Sequence, residues 1–174
     1  MEYIIKSCGD QQLPEILDIF NDAIIHSTAL YDYKQRTMAN METWYENKLK
    51  GNFPVIGVFD SSNNLQGFGS YGTFRAWPAY KYTVEHSIYI RQDMRGKGLG
   101  KILLQEIINA AEKQDYHALV GGIDATNDIS IKLHESMGFV YAGTIKQAGF
   151  KFDRWLDLAF YQLILKTPTH PIDG

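Results

Sequence analysis

The chain alternates between stretches of helical and of extended hydrophobic spacing. Apolar residues that recur every three or four positions predict four helices, at Leu13–Ile25, Met41–Leu49, Leu99–Gln114 and Ile129–Met137. Runs rich in β-branched and aromatic residues predict seven strands, at Tyr3–Lys6, Val55–Asp60, Leu65–Phe74, Tyr82–Ile90, Ala118–Ile123, Phe139–Ile145 and Leu156–Leu165. The polar turn at residues 61–64 joins the second and third strands as a hairpin.

The pattern also predicts which side chains share a face. On the long helix, the buried face is expected to carry Leu99, Ile102, Leu103, Ile107 and Ala110. In the strand before it, strict alternation groups Thr83, Glu85, Ser87 and Tyr89 on one face. The opposite, apolar face then carries Val84, His86, Ile88 and Ile90.

The order of the elements mixes hairpins with strand–helix–strand crossovers. This order is typical of a single α/β domain with a mixed sheet. The length of 174 residues also fits one domain, and no repeat or linker interrupts the sequence. We expect that domain to span residues 1–166 and residues 167–174 to form a loose tail.

Composition and charge exclude several classes of protein. The net charge of −3 and the lack of a basic stripe argue against a nucleic-acid partner. The one cysteine, Cys8, excludes an internal disulfide. The N-terminus lacks the pattern of a signal peptide, and no apolar run is long enough for a membrane span, so we expect a cytoplasmic protein. No metal site is expected, because the zinc-protease pattern that begins at His134 has Gly138 in place of the second histidine.

A glycine-rich loop between the Tyr82–Ile90 strand and the long helix is the most informative segment. Glycines allow several backbone N–H groups to converge, and a helix N-terminus adds partial positive charge, so the loop predicts an anion site. It fits neither the Walker pattern nor the dinucleotide fingerprint. It does fit Arg-x-x-Gly-x-Gly, with Arg95, Gly98 and Gly100.

That pattern is the pyrophosphate-binding signature of the GNAT superfamily of N-acetyltransferases, which the chain resembles. The segment 124–139 resembles a second motif of the family, one helix and one strand further along. Residues 84–89, 130–135 and 149–157 narrow the resemblance to the phosphinothricin acetyltransferase branch, over about residues 3 to 165. His134 stands where many members of the superfamily carry Tyr, although His is usual in this branch.

The resemblance implies a fold and a reaction. The expected fold is a mixed, mostly antiparallel sheet flanked by helices, in which a splayed pair of parallel strands binds CoA. The expected enzyme is an acyltransferase that uses acetyl-CoA and no metal to acetylate the α-amine of phosphinothricin, methionine sulfoximine or methionine sulfone. A homodimer and a role in resistance to such compounds are also implied. Lys151, Arg154 and Trp155 match a family signature that borders the pocket and the dimer contact.

The resemblance assigns CoA to the glycine loop and the strand before it. Backbone groups at Ile88, Tyr89 and Ile90 would pair with pantetheine amides. The loop would hold the pyrophosphate through N–H groups and charge, with Arg95, Gly96, Lys97, Gly98, Leu99, Gly100 and Lys101. Asn127 would contact pantetheine or substrate, and it is equally well placed to cap a helix.

Two residues are candidates for catalysis. Glu85, a carboxylate within a strand, is the candidate base, acting directly or through water, and an edge-strand glutamate facing solvent is the alternative. His134 would protonate or orient the leaving thiolate, or be a buried structural histidine. The expected substrate contacts are Arg75, Ala76, Trp77, Glu85, His86, Ser87 and Asn127, with Arg75 on a carboxylate and the His86 side chain structural.

Two other functions stay open at this point. The same fold and cofactor would serve another amine, such as a polyamine, an aminoglycoside or a protein N-terminus. A CoA-binding sensor without turnover is the alternative from outside the enzymes, although it would not require Glu85 or His134.

Overall fold

The computed structural model describes residues 2–174, and it contains the predicted elements in the predicted order. The helices are α1 Leu13–His26, α2 Met38–Lys50, α3 Leu99–Lys113 and α4 Asp128–Ser136. The strands are β1 Ile4–Ser7, β2 Val55–Phe59, β3 Leu65–Thr73, β4 Thr83–Ile90, β5 Ala118–Asp124, β6 Val140–Lys151 and β7 Arg154–Ile164. Only β6 departs much from its predicted bounds, since it continues beyond Ile145 to Lys151.

The strands form one mixed sheet in the order β1-β2-β3-β4-β5-β7-β6. The pairs β1–β2, β2–β3, β5–β7 and β6–β7 are antiparallel, and β4 and β5 are parallel. This confirms the predicted mixed, mostly antiparallel sheet. The parallel ladder joins only Thr83, Val84 and Glu85 of β4 to Ala118, Leu119 and Val120 of β5.

Residues 2–70 and 87–104 form one compact unit around an aromatic cluster. The ring of Phe20 packs edge-on against Trp44, Phe68 and Tyr89 at centroid distances of 5.4, 5.0 and 4.9 Å. Edge-to-face pairs at such distances stabilise a core beyond the apolar area they bury. The amphipathic spacing of α1 supplies one side of this core, and Pro14 is accommodated in its first turn.

Residues 71–86 and 105–174 form a second compact unit. Its β6–β7 hairpin closes with a tight turn at Phe152 and Asp153, both of which have positive φ, at 52° and 57°. Such a turn matches the twist of the two strands, although it normally recruits Asn or Gly. Residues 167–174 form no helix or strand, but Ile172 donates its backbone N–H to the Tyr82 hydroxyl at 3.2 Å.

Two predicted faces are wrong in part. On α3 the buried face contains Leu99, Leu103, Leu104, Ile107, Ile108 and Ala111, whereas Ile102 is 38% exposed. In β4 the alternation of burial slips by one residue between Ser87 and Ile88. Tyr89 is therefore buried in the aromatic cluster and does not share an exposed face with Glu85. A strict period of two does not anticipate this change in burial.

Cys8 is buried in the core of the first unit, and burial raises the pKa of its thiol to about 12. Because the thiolate is the reactive form, we expect Cys8 to resist a thiol reagent at pH 8 in the native protein and to react at once in denaturant. The absorbance of the coloured thiolate that a chromogenic disulfide reagent releases measures both reaction rates. Equal rates in the two states would contradict this expectation.

Candidate active site

The glycine loop leaves β4 at Ile90 and enters α3 at Leu99. Gly96 and Gly98 have φ of +76° and +83°, which other residues adopt only with strain. A Cβ at either position would meet nothing within 4 Å, so the glycines serve the backbone conformation and the surface beside them is open. The backbone N–H of Lys101 donates to the Gly98 carbonyl at 3.1 Å, which begins the helix.

The cations around this loop differ in how much of their charge is already paired. Arg91 bonds Asp93 at 2.9 Å, and Arg95 lies 3.6 Å from Asp22 and also donates to the Ile90 carbonyl at 3.3 Å. Lys97 and Lys101 are exposed, and no carboxylate within residues 2–174 lies at ion-pair distance from either. The two lysines are therefore the better candidates for an external anion.

The remaining residues that were predicted to bind the cofactor are buried or partly buried. Leu99 and Tyr89 are only 1% and 8% exposed, so their side chains are not available to a ligand. Ile88, Ile90 and Gly100 are partly buried. The contribution of main-chain groups by this strand stays a prediction.

Glu85 lies partly buried on β4, at the last residue of the parallel ladder. Its Oε1 atom would be 3.1 Å from a Cβ on Gly122 of β5, so the carboxylate lies over a position without a side chain. Burial raises the pKa of Glu85, and the positive charge of Arg75 opposes that rise. A carboxyl group with a raised pKa exchanges protons closer to neutral pH.

The loop between β3 and β4 presents the predicted substrate residues to solvent. Arg75, Ala76 and Trp77 are exposed, with Trp77 at 74%. The Arg75 guanidinium stacks on the Phe74 ring at 4.4 Å and donates to the Phe74 carbonyl at 2.9 Å. Within residues 2–174 no carboxylate pairs with Arg75 at salt-bridge distance, which leaves its charge for a ligand.

His86 and His134 meet on the buried face of β4 and β5, each 6% exposed. Their Nε2 atoms are 2.9 Å apart, and the Phe139 ring packs against both imidazoles. The prediction that the His86 side chain points to the apolar face is confirmed. Sequence reasoning did not anticipate its contact with His134, because the two residues lie 48 positions apart.

Two consecutive glycines of β5 separate Glu85 from the histidine pair. A Cβ on Gly121 would lie 3.0 Å from Cε1 of His86 and 3.2 Å from Nε2 of His134. Gly122 faces Glu85 instead, because neighbouring residues of a strand point to opposite sides. The Gly-Gly pair within a predicted strand was the signal that close approaches occur here.

Asn127 caps α4, since its side-chain oxygen accepts the Ser130 N–H at 3.1 Å. The loop before it is fixed by Asp124, whose buried carboxylate accepts from the N–H and hydroxyl of Thr126 at 3.0 and 2.9 Å. Arg154 completes this cluster with a 3.1 Å bond to Asp124. The capping interpretation of Asn127 is confirmed, and its ligand role stays a prediction.

We expect Arg154→Ala to lower the free energy of unfolding by about 2 kcal/mol, because it leaves the buried Asp124 carboxylate short of a partner. Arg91→Ala is the control, since its pair with Asp93 is exposed and an exposed pair contributes about 1 kcal/mol or less. Urea unfolding measures both. Equal losses of unfolding free energy in the two variants would contradict a stabilising role for the Arg154–Asp124 pair.

Residues 2–174 contain no group of three or more histidine, cysteine or acidic side chains that could hold a metal ion. In the same range, no helix has the length and apolar character that crossing a bilayer requires.

The family model for the acetyltransferase (GNAT) domain matches residues 5–160. The chain belongs to the GNAT family. It is therefore an acetyltransferase. An L-methionine sulfoximine/L-methionine sulfone acetyltransferase of Pseudomonas aeruginosa is 41% identical over 165 residues, which cover 95% of this chain and 96% of that protein.

Solved GNAT structures share the fold over nearly the whole chain. A candidate acetyltransferase from Acinetobacter baylyi ADP1 is 55% identical, with a TM-score of 0.98 and coverage of 99% of this chain and 98% of the other. A phosphinothricin acetyltransferase from Sinorhizobium meliloti, in complex with acetyl-CoA, is 28% identical, with a TM-score of 0.93 and coverage of 98% and 93%.

Proposed function

We propose that the chain transfers the acetyl group of acetyl-CoA to the α-amine of methionine sulfoximine, methionine sulfone and phosphinothricin, directly and in a ternary complex. The substrate class is supported by the 41% identity to an enzyme that is named for two of these compounds. The placement of Glu85 carries the mechanism, since this partly buried carboxylate has a raised pKa and lies beside an open backbone position.

The glycine loop fits the acidic part of acetyl-CoA. It is exposed, two of its residues have left-handed backbone angles, and Lys97 and Lys101 are near its helix N-terminus. Such a terminus attracts phosphate through its N–H groups and its dipole. The main chain of Ile88 to Ile90 would hold the pantetheine arm. Acetyl-CoA supplies an acyl group that is activated as a thioester.

Glu85 acts on the amine. An ammonium ion has no lone pair, so the substrate must lose a proton before its nitrogen can attack a carbonyl carbon. The Glu85 carboxylate accepts that proton, directly or through one water, and becomes a neutral carboxylic acid. The nitrogen of the free amine then bonds to the thioester carbonyl carbon, the carbon–sulfur bond breaks, CoA leaves as the thiolate, and the second proton on the nitrogen passes to water. His134 is proposed to orient or protonate this leaving group.

The rest of the substrate is held by residues around Glu85. Arg75, whose guanidinium has no carboxylate at salt-bridge distance within residues 2–174, is proposed to bind the substrate carboxylate, and Trp77 to line the pocket with Ala76. His86 and Ser87 are proposed to contact the substrate as part of strand β4, with the side chain of His86 in a structural role. Asn127, at the start of α4, is proposed to contact the pantetheine arm or the substrate.

The test is release of CoA thiol from acetyl-CoA with a panel of amines. The panel contains the three proposed compounds, a polyamine, an aminoglycoside and a basic peptide. We expect turnover with the first three alone. Turnover confined to the cationic amines would overturn the substrate class. Absence of turnover together with a raised melting temperature in acetyl-CoA would indicate a sensor module.

A homodimer belongs to the same proposal. The β6–β7 hairpin exposes Phe150, Phe152 and Trp155 by 44%, 52% and 60%, and β6 is an edge strand of 12 residues. An exposed apolar edge of this length invites pairing with a second copy. A cytoplasmic location and a resistance role, both expected from the sequence, are proposed with it.

We expect light scattering to give about twice the chain mass of 19.9 kDa, and Trp155→Glu to reduce it to one chain mass, since burying an unpaired carboxylate opposes association. Leu49→Glu, on the 61% exposed residue of α2, is the matched control and should leave the dimer intact. A native protein of one chain mass would contradict the proposal.

A further inference from the structure

The hydrogen bonds of His134 determine where its protons are. Its Nδ1 atom is 2.7 Å from the Ser130 carbonyl oxygen, which can only accept, so Nδ1 carries a proton. The Ser130 hydroxyl, at 3.5 Å from the same nitrogen, is a weaker partner. A neutral imidazole has one N–H, so a neutral His134 leaves Nε2 bare.

The contact with His86 then fixes the second ring. A 2.9 Å contact between two Nε2 atoms needs one proton between them. If His134 supplied it, His134 would be a buried imidazolium, and within residues 2–174 no carboxylate lies at ion-pair distance from either ring. Burying an unpaired charge is far costlier than burying a neutral pair. His86 is therefore the donor.

The remaining nitrogen of His86 agrees with this assignment. When Nε2 carries the proton of a neutral ring, Nδ1 is bare. Nδ1 of His86 is fully buried and makes no hydrogen bond of ordinary distance and angle, although the Val120 carbonyl lies close enough to the ring to oppose part of the fall in its pKa. A buried acceptor without a partner is more readily tolerated than a buried N–H without one.

We propose that His86 is a positioning residue that holds His134 neutral, as its Nδ1–H tautomer. Both nitrogens of His134 are then engaged inside the protein, and it has no proton to give. His134 consequently neither protonates nor contacts the thiolate, and it holds α4 against β4, which is the structural role that the sequence left open. This inference rests on the proposed function and narrows it, since it removes His134 from the groups that act on the leaving thiolate. A thiolate with an ordinary pKa of about 8.5 can leave without a local acid.

Ring ¹⁵N chemical shifts of the protein alone test the tautomers. We expect His134 to show the Nδ1–H pattern and His86 the Nε2–H pattern throughout pH 6 to 8. Spectra of His134→Gln and His86→Gln assign the two signals, and His26→Gln is the control for an exposed histidine. An Nε2–H or imidazolium pattern for His134 in this range would overturn the proposal. This readout needs no substrate, so it is independent of the proposed reaction.

Kinetics test whether the bond matters for turnover. His86→Leu removes the donor, whereas His86→Gln keeps an N–H. A misplacement of about 1 Å can cost roughly 10²-fold, and we expect His86→Leu to lower kcat about tenfold at unchanged KM for acetyl-CoA. His86→Gln should restore most of that loss. Equal losses in the two variants, or none in His86→Leu, would overturn the positioning role.

Gly121→Ala gives an independent perturbation, because both imidazoles stay in the chain. Its methyl group would lie 3.0 Å from His86 and 3.2 Å from His134, so the pair must shift. We expect loss of the Nδ1–H pattern of His134 and a fall in kcat similar to that of His86→Leu. A native pattern together with that fall would overturn the link between tautomer and rate.

Discussion

We expect Glu85→Gln to lower kcat with methionine sulfoximine by about 10²–10⁴-fold, the usual contribution of a positioned base. The amide keeps the size of the side chain and cannot accept the proton of the substrate ammonium. Raising the pH supplies neutral amine from solution, so the deficit shrinks as the amine deprotonates. Thiol release between pH 6 and 10 measures this convergence. A constant deficit would contradict the role of Glu85 as base.

Glu112→Gln is the matched control, because it makes the same chemical change at an exposed position on α3. It should leave kcat unchanged. Gly122→Ala is a milder test of the same position, since its methyl group would crowd Oε1 of Glu85 at 3.1 Å. We expect a loss between those of the other two variants.

We expect the protein to lose stability on mild acidification, because the histidine pair is buried and neutral. Burial, together with the nearby His134, lowers the pKa of His86 from 6.5 to about 3, and burial lowers that of His134. The unfolded chain therefore binds more protons below pH 6.5, and stability falls as the pH drops toward 3. At pH 5, which is 1.5 pH units below the unfolded pKa of 6.5, His86 lowers the free energy of unfolding by about 2 kcal/mol, at about 1.36 kcal/mol per pH unit.

Urea unfolding at pH 7 and pH 5 measures this loss, and His86→Gln is the control because it cannot titrate. The raised pKa of Glu85 acts in the opposite direction, but both proteins contain Glu85, so their difference cancels it. Asp60 and Asp157 have pKa values below 3.8 and titrate at lower pH. An equal loss in both proteins would contradict a neutral pair.

The fold was predictable where local pattern and packing agree. Period and turn chemistry were sufficient for α1, the β2–β3 hairpin and the end of α4, where Gly138 has a φ of +88°. The length of β6 was not predictable, because its hairpin turns at Phe152 and Asp153, residue types that rarely mark such a turn. The burial of Tyr89 follows from a break in the alternation of burial at Ser87 and Ile88, which a period of two does not predict.

The candidate site was predictable to a similar extent. The glycine loop and Glu85 are local signals, because one depends on consecutive residues and the other on an unusual carboxylate in a strand. The bond between His86 and His134 joins β4 to α4, and only the tertiary structure determines it. The pairing of Arg95 with Asp22 is likewise long-range, and it changes which cations are available to a phosphate.

Gly122 leaves open space beside the Glu85 carboxylate because it has no side chain. It is exposed, and any side chain there would take space from whatever lies against the Glu85 carboxylate. If Glu85 is the base, we expect the size of residue 122 to limit the size of the amine that can reach it. Enlarging residue 122 should exclude branched amines before linear ones, so a change of substrate range can begin on this strand without altering any charged group.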